Sequence, residues 1–207
     1  MRLHITFSKT EIMRYTGHLD VHRTLYRTLI RARLPVSHSQ GYARRPRLNL
    51  AVATPLGFTS DCEIADLWLD EQRPLDEIKS AIQSVSPPGL RLRTLKEVAS
   101  NSPKMQKTVV SAEFVATFLD PVPDLDTRVA DLLLASTLPR ERRGKTYDLR
   151  PLVLDLRGMK TDEQQCIQMT LMAQEGATGR ADEVVSAMGI DPVDVRFHRT
   201  QLNFQDR

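Results

Sequence analysis

The first hundred residues alternate between strand-like and helix-like patterns of apolar positions. Polar and apolar residues alternate over 2–7, which is typical of a half-buried strand. A helical period then begins at Thr16-Gly17 and ends before Pro35, with an apolar stripe predicted to comprise Leu19, Leu25, Tyr26, Leu29 and Ile30. Further strands are predicted over 48–53, 63–69 and 90–98, and a further helix over 74–84. This β-α-β-β-α-β order is that of the split βαβ, or ferredoxin-like, fold.

The second half repeats this order in outline. Strands are predicted over 108–119, 166–174 and 193–202, helices over 124–136 and 181–188, and a strand or turn after a basic loop at 140–145. Cys62 and Cys166 fall at comparable places in the two halves. We therefore predict an α+β protein of two tandem ferredoxin-like domains, a basic one over 1–100 and a second over 104–207, with a linker at 100–103.

Charge is distributed unevenly along this framework. The formal net charge is +3, yet the segment 12–49 contains eight arginines and one aspartate, with neither lysine nor glutamate. Those arginines are Arg14, Arg23, Arg27, Arg31, Arg33, Arg44, Arg45 and Arg47. The rest of the chain is therefore net negative. Such segregation favours a surface for a polyanion, and RNA is the polyanion that we expect.

Two groups of residues are the predicted RNA contacts. Arg23, Arg27 and Arg31 are four residues apart, which places them in one row on the predicted helix. The loop 39–48 adds Gly41, Tyr42, Arg44, Arg45 and Arg47. Guanidinium groups bind phosphate oxygens bidentately, and an aromatic ring stacks on a base or ribose. The alternative interpretation is a solvated surface that pairs with the acids of the second half.

One face of a ferredoxin-like sheet is left uncovered by its own helices. We expect Arg2, His4, Arg91 and Arg93 on that face, where they would extend the basic surface. An RNA-recognition motif stacks bases on aromatic residues at these strand positions, and here only Trp68 is available for that role. The pattern therefore favours recognition of phosphates and shape over recognition of bases.

His18 and Asp20 begin the first predicted helix, where the helix dipole favours a neutral imidazole. His18 is thus a candidate general base, and the alternative is a capping or packing residue. His18 and His22 also have the spacing of paired metal ligands, with His38 or Cys62 as a third ligand, but no complete metal motif is present. We expect no metal and no cofactor.

Several classes of protein do not fit the composition. Two cysteines make neither a disulfide framework nor a cysteine-rich metal site, and both lie in strand patterns typical of buried thiols. No apolar stretch approaches the roughly 20 residues of a membrane span. The chain starts directly in a strand pattern and not in a signal peptide. We expect a cytoplasmic protein that does not bind membranes.

Several short motifs resemble those of a bacterial family, the radical SAM-linked proteins described as the domain of unknown function 2344. They are TGHLD (16–20), RARLP (31–35), SQGY (39–42), PRL (46–48), PLG (55–57), YDLRP (147–151) and RT (199–200). The resemblance implies a working partnership with a radical SAM enzyme. Arg33 stands where the family usually has glycine, and Ala43-Arg44 where it tends to have Asn-Pro. The chain has two cysteines, and a radical SAM cluster needs three at close spacing.

Three functions remain open on these grounds. The first is a non-catalytic RNA-binding accessory protein that presents tRNA or rRNA to a radical SAM enzyme. The second is a metal-independent endoribonuclease with His18 as general base, by analogy with the architecture of repeat-processing endoribonucleases. The third is an adaptor that docks on an acidic protein surface without binding RNA. The arginine pattern favours the first, and an accessory protein rather than an enzyme is expected.

Overall fold

A computed structural model describes residues 1–142, 144–160 and 164–205. The chain forms two compact units, residues 1–108 and 109–207. Each is a mixed α/β unit with a mostly antiparallel sheet. No helix among the described residues combines the length and the apolar character needed to cross a membrane.

The first unit builds a four-stranded sheet with two connecting helices. Its elements are β1 (Arg2–Lys9), α1 (His18–Arg31), β2 (Leu48–Leu50), β3 (Phe58–Trp68), α2 (Leu75–Val85), β4 (Leu90–Val98) and the short α3 (Met105–Thr108). The strand order within the unit is β4-β1-β3-β2, and each neighbouring pair is antiparallel. The segment 100–103, predicted as a linker, lies inside this unit.

The second unit has the same order of strands in its sheet. Its elements are β5 (Val109–Phe118), α4 (Leu125–Leu134), β6 (Pro139–Arg142), β7 (Lys145–Asp148), β8 (Val153–Lys160), β9 (Gln165–Gln174), β10 (Ala177–Thr178), α5 (Ala181–Ala187) and β11 (Val195–Phe204). The sheet runs β11-β5-β9-β8, again antiparallel, with β10 also on β9. β6 and β7 form a separate hairpin where the basic loop was predicted, and Arg143 of that loop lies outside the described residues.

The core of the first unit lies between the helices and one face of β1. Leu3, Ile5 and Phe7 alternate along that face and are fully buried. The buried residues of α1 are Val21, Leu25, Thr28 and Leu29. The predicted apolar stripe was therefore partly wrong, because Leu19 and Ile30 are 70% and 47% exposed. Spacings of four, three and one residues place the observed set on one side of a 3.6-residue helix, whereas Leu19 and Ile30 lie off it.

The end of α1 has the hydrogen bonds of a Schellman motif. The Leu34 amide donates to the Leu29 carbonyl at 3.1 Å, and the Arg33 amide donates to the Ile30 carbonyl at 2.9 Å. The motif requires a left-handed residue after the helix, and Arg33 occupies this position with φ 54°. Glycine, which has no Cβ, adopts this conformation most readily. An arginine is sterically strained in this conformation because its Cβ crowds the following carbonyl oxygen.

We expect Arg33→Gly to raise the free energy of unfolding by ~0.5–1 kcal/mol. The left-handed conformation costs a residue with a Cβ roughly 1–2 kcal/mol, and the greater freedom of glycine in the unfolded chain offsets part of the gain. Urea unfolding followed by circular dichroism measures the change. Arg33→Ala is the matched control, since it removes the same charge but keeps the Cβ. If both variants were stabilised equally, the increase in stability would come from removal of the arginine charge and not from relief of the left-handed backbone strain.

Candidate nucleic-acid interface

The three predicted helix arginines form an exposed row on α1. Arg23, Arg27 and Arg31 project from the side that faces solvent, as their four-residue spacing predicts. Arg23 forms a surface ion pair with Asp20 at 3.1 Å, and such exposed pairs contribute little stability. No carboxylate among the described residues pairs with Arg27 or Arg31. These two guanidinium groups are therefore available to an external anion.

The loop between α1 and β2 presents a second basic group. It is closed at its base by two hydrogen bonds between Ser39 and Arg45, one from amide to carbonyl at 2.8 Å and one from amide to hydroxyl at 3.0 Å. Gly41 turns the loop with φ 122°, a conformation that favours glycine. Tyr42 at the tip is fully exposed, and the side chains of Arg44 and Arg45 also lie in solvent.

A contact between Tyr26 and His38 connects the two groups. The Tyr26 hydroxyl lies 3.1 Å from His38 Nε2, and the rings meet edge to face with centroids 6.2 Å apart. Tyr26 belongs to α1, and His38 pairs with Pro46 at the base of the loop. A depression of about 560 Å³ beside this contact is lined in part by Tyr26, Arg27 and Arg31. The Tyr26–His38 contact thus joins the helix that carries one group of arginines to the base of the loop that carries the other.

Arg47 differs from the other loop arginines because its backbone is fixed on both sides. Its amide donates to the Ser37 carbonyl at 2.7 Å, and its carbonyl accepts from the Trp68 amide at 3.0 Å. Its guanidinium carbon lies 4.8 Å from the centroid of the Trp68 ring. A guanidinium over an indole face is a cation–π contact, which holds the side chain in place while leaving its edge exposed. Arg47 is thus preoriented for an anion.

Arg2 is not part of the basic surface, contrary to the prediction from the strand pattern. It is 2% exposed and donates to Asp66 Oδ1 at 3.1 Å from Nε and at 2.7 Å from a terminal nitrogen. It also donates to the carbonyl oxygens of Ser102 and Pro103 and lies over the Trp68 ring. The buried carboxylate on the neighbouring strand supplies the partner that a buried guanidinium requires.

The other cationic residues predicted on this sheet face differ in their exposure and in their partners. His4 lies 3.1 Å from Asp66 Oδ1 and is mostly buried. Arg93 is bound at 2.9 Å to Asp61 and at 2.5 Å to the Ser8 hydroxyl. Arg91 is exposed. Arg14, one of the eight clustered arginines, is buried and paired with Glu11. The exposed basic surface is therefore narrower than the sequence indicated and centres on α1 and the loop.

The histidines of α1 are not brought together as a metal site. His18 is the first residue of the helix and is half-buried, while Asp20 is directed to Arg23. His22 Nε2 lies 2.9 Å from the Leu48 carbonyl oxygen, so its side chain joins α1 to β2. Within the described part of the chain, no group of three or more potential ligands is placed to hold a metal ion.

The two cysteines are free thiols in equivalent strands of the two units. Cys62 lies on β3 and is half-buried, and Cys166 lies on β9 and is buried. Burial raises the pKa of the Cys166 thiol, which disfavours the reactive thiolate. Cys166 is therefore a packing residue, as its strand pattern indicated.

Fold and site define a mixed α/β protein with an exposed arginine surface on its first unit. Comparison with known proteins places this chain in a family. It belongs to the bacterial family described as an uncharacterized protein conserved in bacteria, the domain of unknown function 2344, and the match spans residues 2–181. No curated protein gives a significant sequence match.

Two contributors to this surface had no signal in the sequence. The helical period places Tyr26 in the apolar stripe, and Tyr26 does pack against the core. Its additional contact with His38, which connects helix and loop, is not indicated by the sequence. Their contact depends on where the chain returns after α1, which local periodicity does not encode. Trp68 was singled out only as the sole aromatic of a sheet face, whereas it is the platform for Arg47.

Proposed function

We propose that this chain is a non-catalytic RNA-binding accessory protein that works with a radical SAM enzyme in tRNA or rRNA modification. Arg27, Arg31, Arg44, Arg45 and Arg47 hold backbone phosphates, and Tyr42 stacks on a base or ribose. Arg23 joins them when RNA displaces its surface pair with Asp20. Gly41 gives the loop tip its turn and allows the RNA to approach the backbone closely.

The observation that carries this proposal is that α1 and the loop, which are joined by the Tyr26–His38 contact, both carry exposed arginines that pair with no carboxylate among the described residues. Residues 39–45 form a loop with a closed base, and the fully exposed Tyr42 has no packing role there. A fully exposed aromatic beside several guanidinium groups is the combination that single-stranded RNA recognition uses. The same positive charge would also attract an acidic protein surface, but such a partner does not explain why the tyrosine is exposed.

We also infer that both units are ferredoxin-like domains. The β-α-β-β-α-β order and the 4-1-3-2 strand order of each unit support this inference. The partnership with a radical SAM enzyme is supported by the motifs that resemble the radical SAM-linked family. With two cysteines in the chain, the iron–sulfur chemistry is assigned to the partner. A cytoplasmic location is part of the same proposal.

The test is binding of the purified, nuclease-treated full chain to labelled tRNA and rRNA fragments across a salt series. Five phosphate contacts predict a slope of log K against log salt of roughly −4, since each contributes about 0.7 to 0.9. The RNA is examined on a gel after incubation. Intact bound RNA supports the accessory role, whereas cleavage that His18→Ala abolishes would instead support the endoribonuclease. Absence of binding at low salt would reject RNA and leave a protein-docking adaptor.

A further inference from the structure

The second unit carries a basic element at the same topological place as the arginine loop of the first. Hairpin β6–β7 connects α4 to β8, just as the loop 39–45 lies between α1 and β2. In each unit this is the connection between the first long helix and the second strand of the sheet. Each connection is rich in arginine and includes a tyrosine: Tyr42 in the loop and Tyr147 in the hairpin.

The register of the hairpin separates its charges onto two faces. Arg140 pairs with Tyr147, and Arg142 pairs with Lys145, so all four lie on one face. The intervening pair is Glu141 with Thr146, on the opposite face. Two like charges directly opposite each other in an antiparallel pair are destabilising. An anion that bridges Arg142 and Lys145 relieves this repulsion.

The base of the hairpin is fixed while its cationic end is exposed. The Tyr147 hydroxyl donates to the Glu183 carboxylate of α5, and Asp148 accepts from the Leu138 amide at 2.7 Å. Burial raises the pKa of the Glu183 carboxyl, and the Arg142 and Arg140 guanidinium groups oppose that shift. These contacts hold the strands in register. Beyond them, Arg142 and Lys145 extend into solvent.

Arg140 adds a third positive charge to the same face. Its side chain is half-buried, and its Nε is shielded from solvent. The Glu183 carboxylate lies at the base of this face, where it binds Tyr147. The charges available to an external anion are therefore those of Arg142 and Lys145, at the end of the hairpin away from Tyr147.

We propose that hairpin β6–β7 is a second RNA-contact element, which binds backbone phosphates through Arg142 and Lys145. The inference rests on the proposed function, since it takes RNA as the ligand of the first unit, and it adds a site on the second. The charge-segregated register and the recurrence of a basic connection in both units support it. Contact is with phosphates and is independent of base sequence, because these long cations are placed for backbone oxygens.

The test compares full-length Arg142→Thr/Lys145→Thr with wild type in binding to labelled total tRNA over a salt series. Loss of two phosphate contacts predicts a slope of log K against log salt that is shallower by about 1.5, and roughly tenfold weaker binding near 0.1 M salt. Threonine suits a strand, and the change removes the like-charge pair, so the hairpin is expected to persist. The exchange Arg142→Lys/Lys145→Arg keeps both charges and is expected to bind like wild type.

Lys79→Thr/Arg157→Thr is the matched control, with the same loss of charge at two exposed positions elsewhere. It is expected to retain the wild-type slope. A hairpin variant whose slope and affinity equal those of wild type would overturn the second site and leave the proposed function standing. Wild-type protein that binds no RNA at low salt would overturn both. A reduction equal to that of the matched control would also overturn the site, because net charge alone would then explain it.

Discussion

Charge reversal of the arginine surface, Arg27→Glu/Arg44→Glu/Arg45→Glu, is expected to weaken RNA binding at least about 100-fold near 0.1 M salt. Each lost phosphate contact removes about 0.7 to 0.9 from the slope of log K against log salt, and each glutamate adds repulsion. The three side chains lie in solvent and make no ion pair with the described residues, so their replacement leaves the core unchanged. Fluorescence anisotropy of labelled tRNA over a salt series measures both affinity and slope.

The control for this reversal carries the same change in net charge at exposed positions outside the surface. Lys79→Glu/Lys96→Glu/Arg157→Glu meets that requirement. We expect it to lower affinity only through long-range repulsion, which salt screens within about 10 Å at 0.1 M. If both triple variants lost affinity equally, the arginine surface would have no special role. An unchanged affinity of the Arg27, Arg44 and Arg45 variant would place the RNA elsewhere or exclude it.

Asp66→Ala is expected to lower the free energy of unfolding by about 3–5 kcal/mol, which is the usual cost of removing one partner of a buried ion pair. Asp66 is 1% exposed and accepts hydrogen bonds from Arg2 and, at 2.9 Å, from the Met105 amide. Its loss leaves the Arg2 guanidinium buried without a counter-charge and frees the start of α3. Urea unfolding monitored by circular dichroism measures the effect.

Glu71→Ala is the control for Asp66→Ala, because Glu71 forms an exposed ion pair with Arg73 at 3.1 Å. Such pairs contribute about 0–1 kcal/mol. A second variant, Arg2→Met/Asp66→Leu, replaces the whole pair with apolar side chains and is expected to recover much of the lost stability. If Asp66→Ala were no more destabilising than Glu71→Ala, the buried pair would not stabilise the first unit.

Local periodicity predicted the order of the long strands and helices, but it missed α3 and β10 and indicated a basic loop where β6 and β7 form a hairpin. β4 occupies the predicted range 90–98, and α1 follows the predicted start and ends before Pro35. These elements depend on residues close in sequence, such as alternating apolar positions or a proline that stops a helix. The strand order of each sheet depends on pairing between distant segments, so it came only from the structure.

The exposed residues of the candidate interface were predicted less completely than the long elements of the fold. The reason is that partners distant in sequence decide which charged side chains remain exposed. Arg2 has the sequence pattern of an outward-facing strand cation, but its partner Asp66 lies 64 residues away. The row on α1 and the loop arginines were predictable because helical spacing and loop polarity are local properties. The contact of Tyr26 with His38, and that of Arg47 with Trp68, required the folded positions of α1 and β3.

Trp68 is the sole tryptophan of the chain, and the Arg47 guanidinium lies over its ring. The fluorescence emission of an indole responds to nearby charge and to contact with solvent. Selective excitation of tryptophan in this protein therefore reports on Trp68 alone, which lies beside Arg47 of the candidate interface. A phosphate bound at the exposed edge of the Arg47 guanidinium would change the electric field and the hydration at the indole. The protein therefore contains an optical reporter of ligand arrival, and its binding can be followed in unlabelled form.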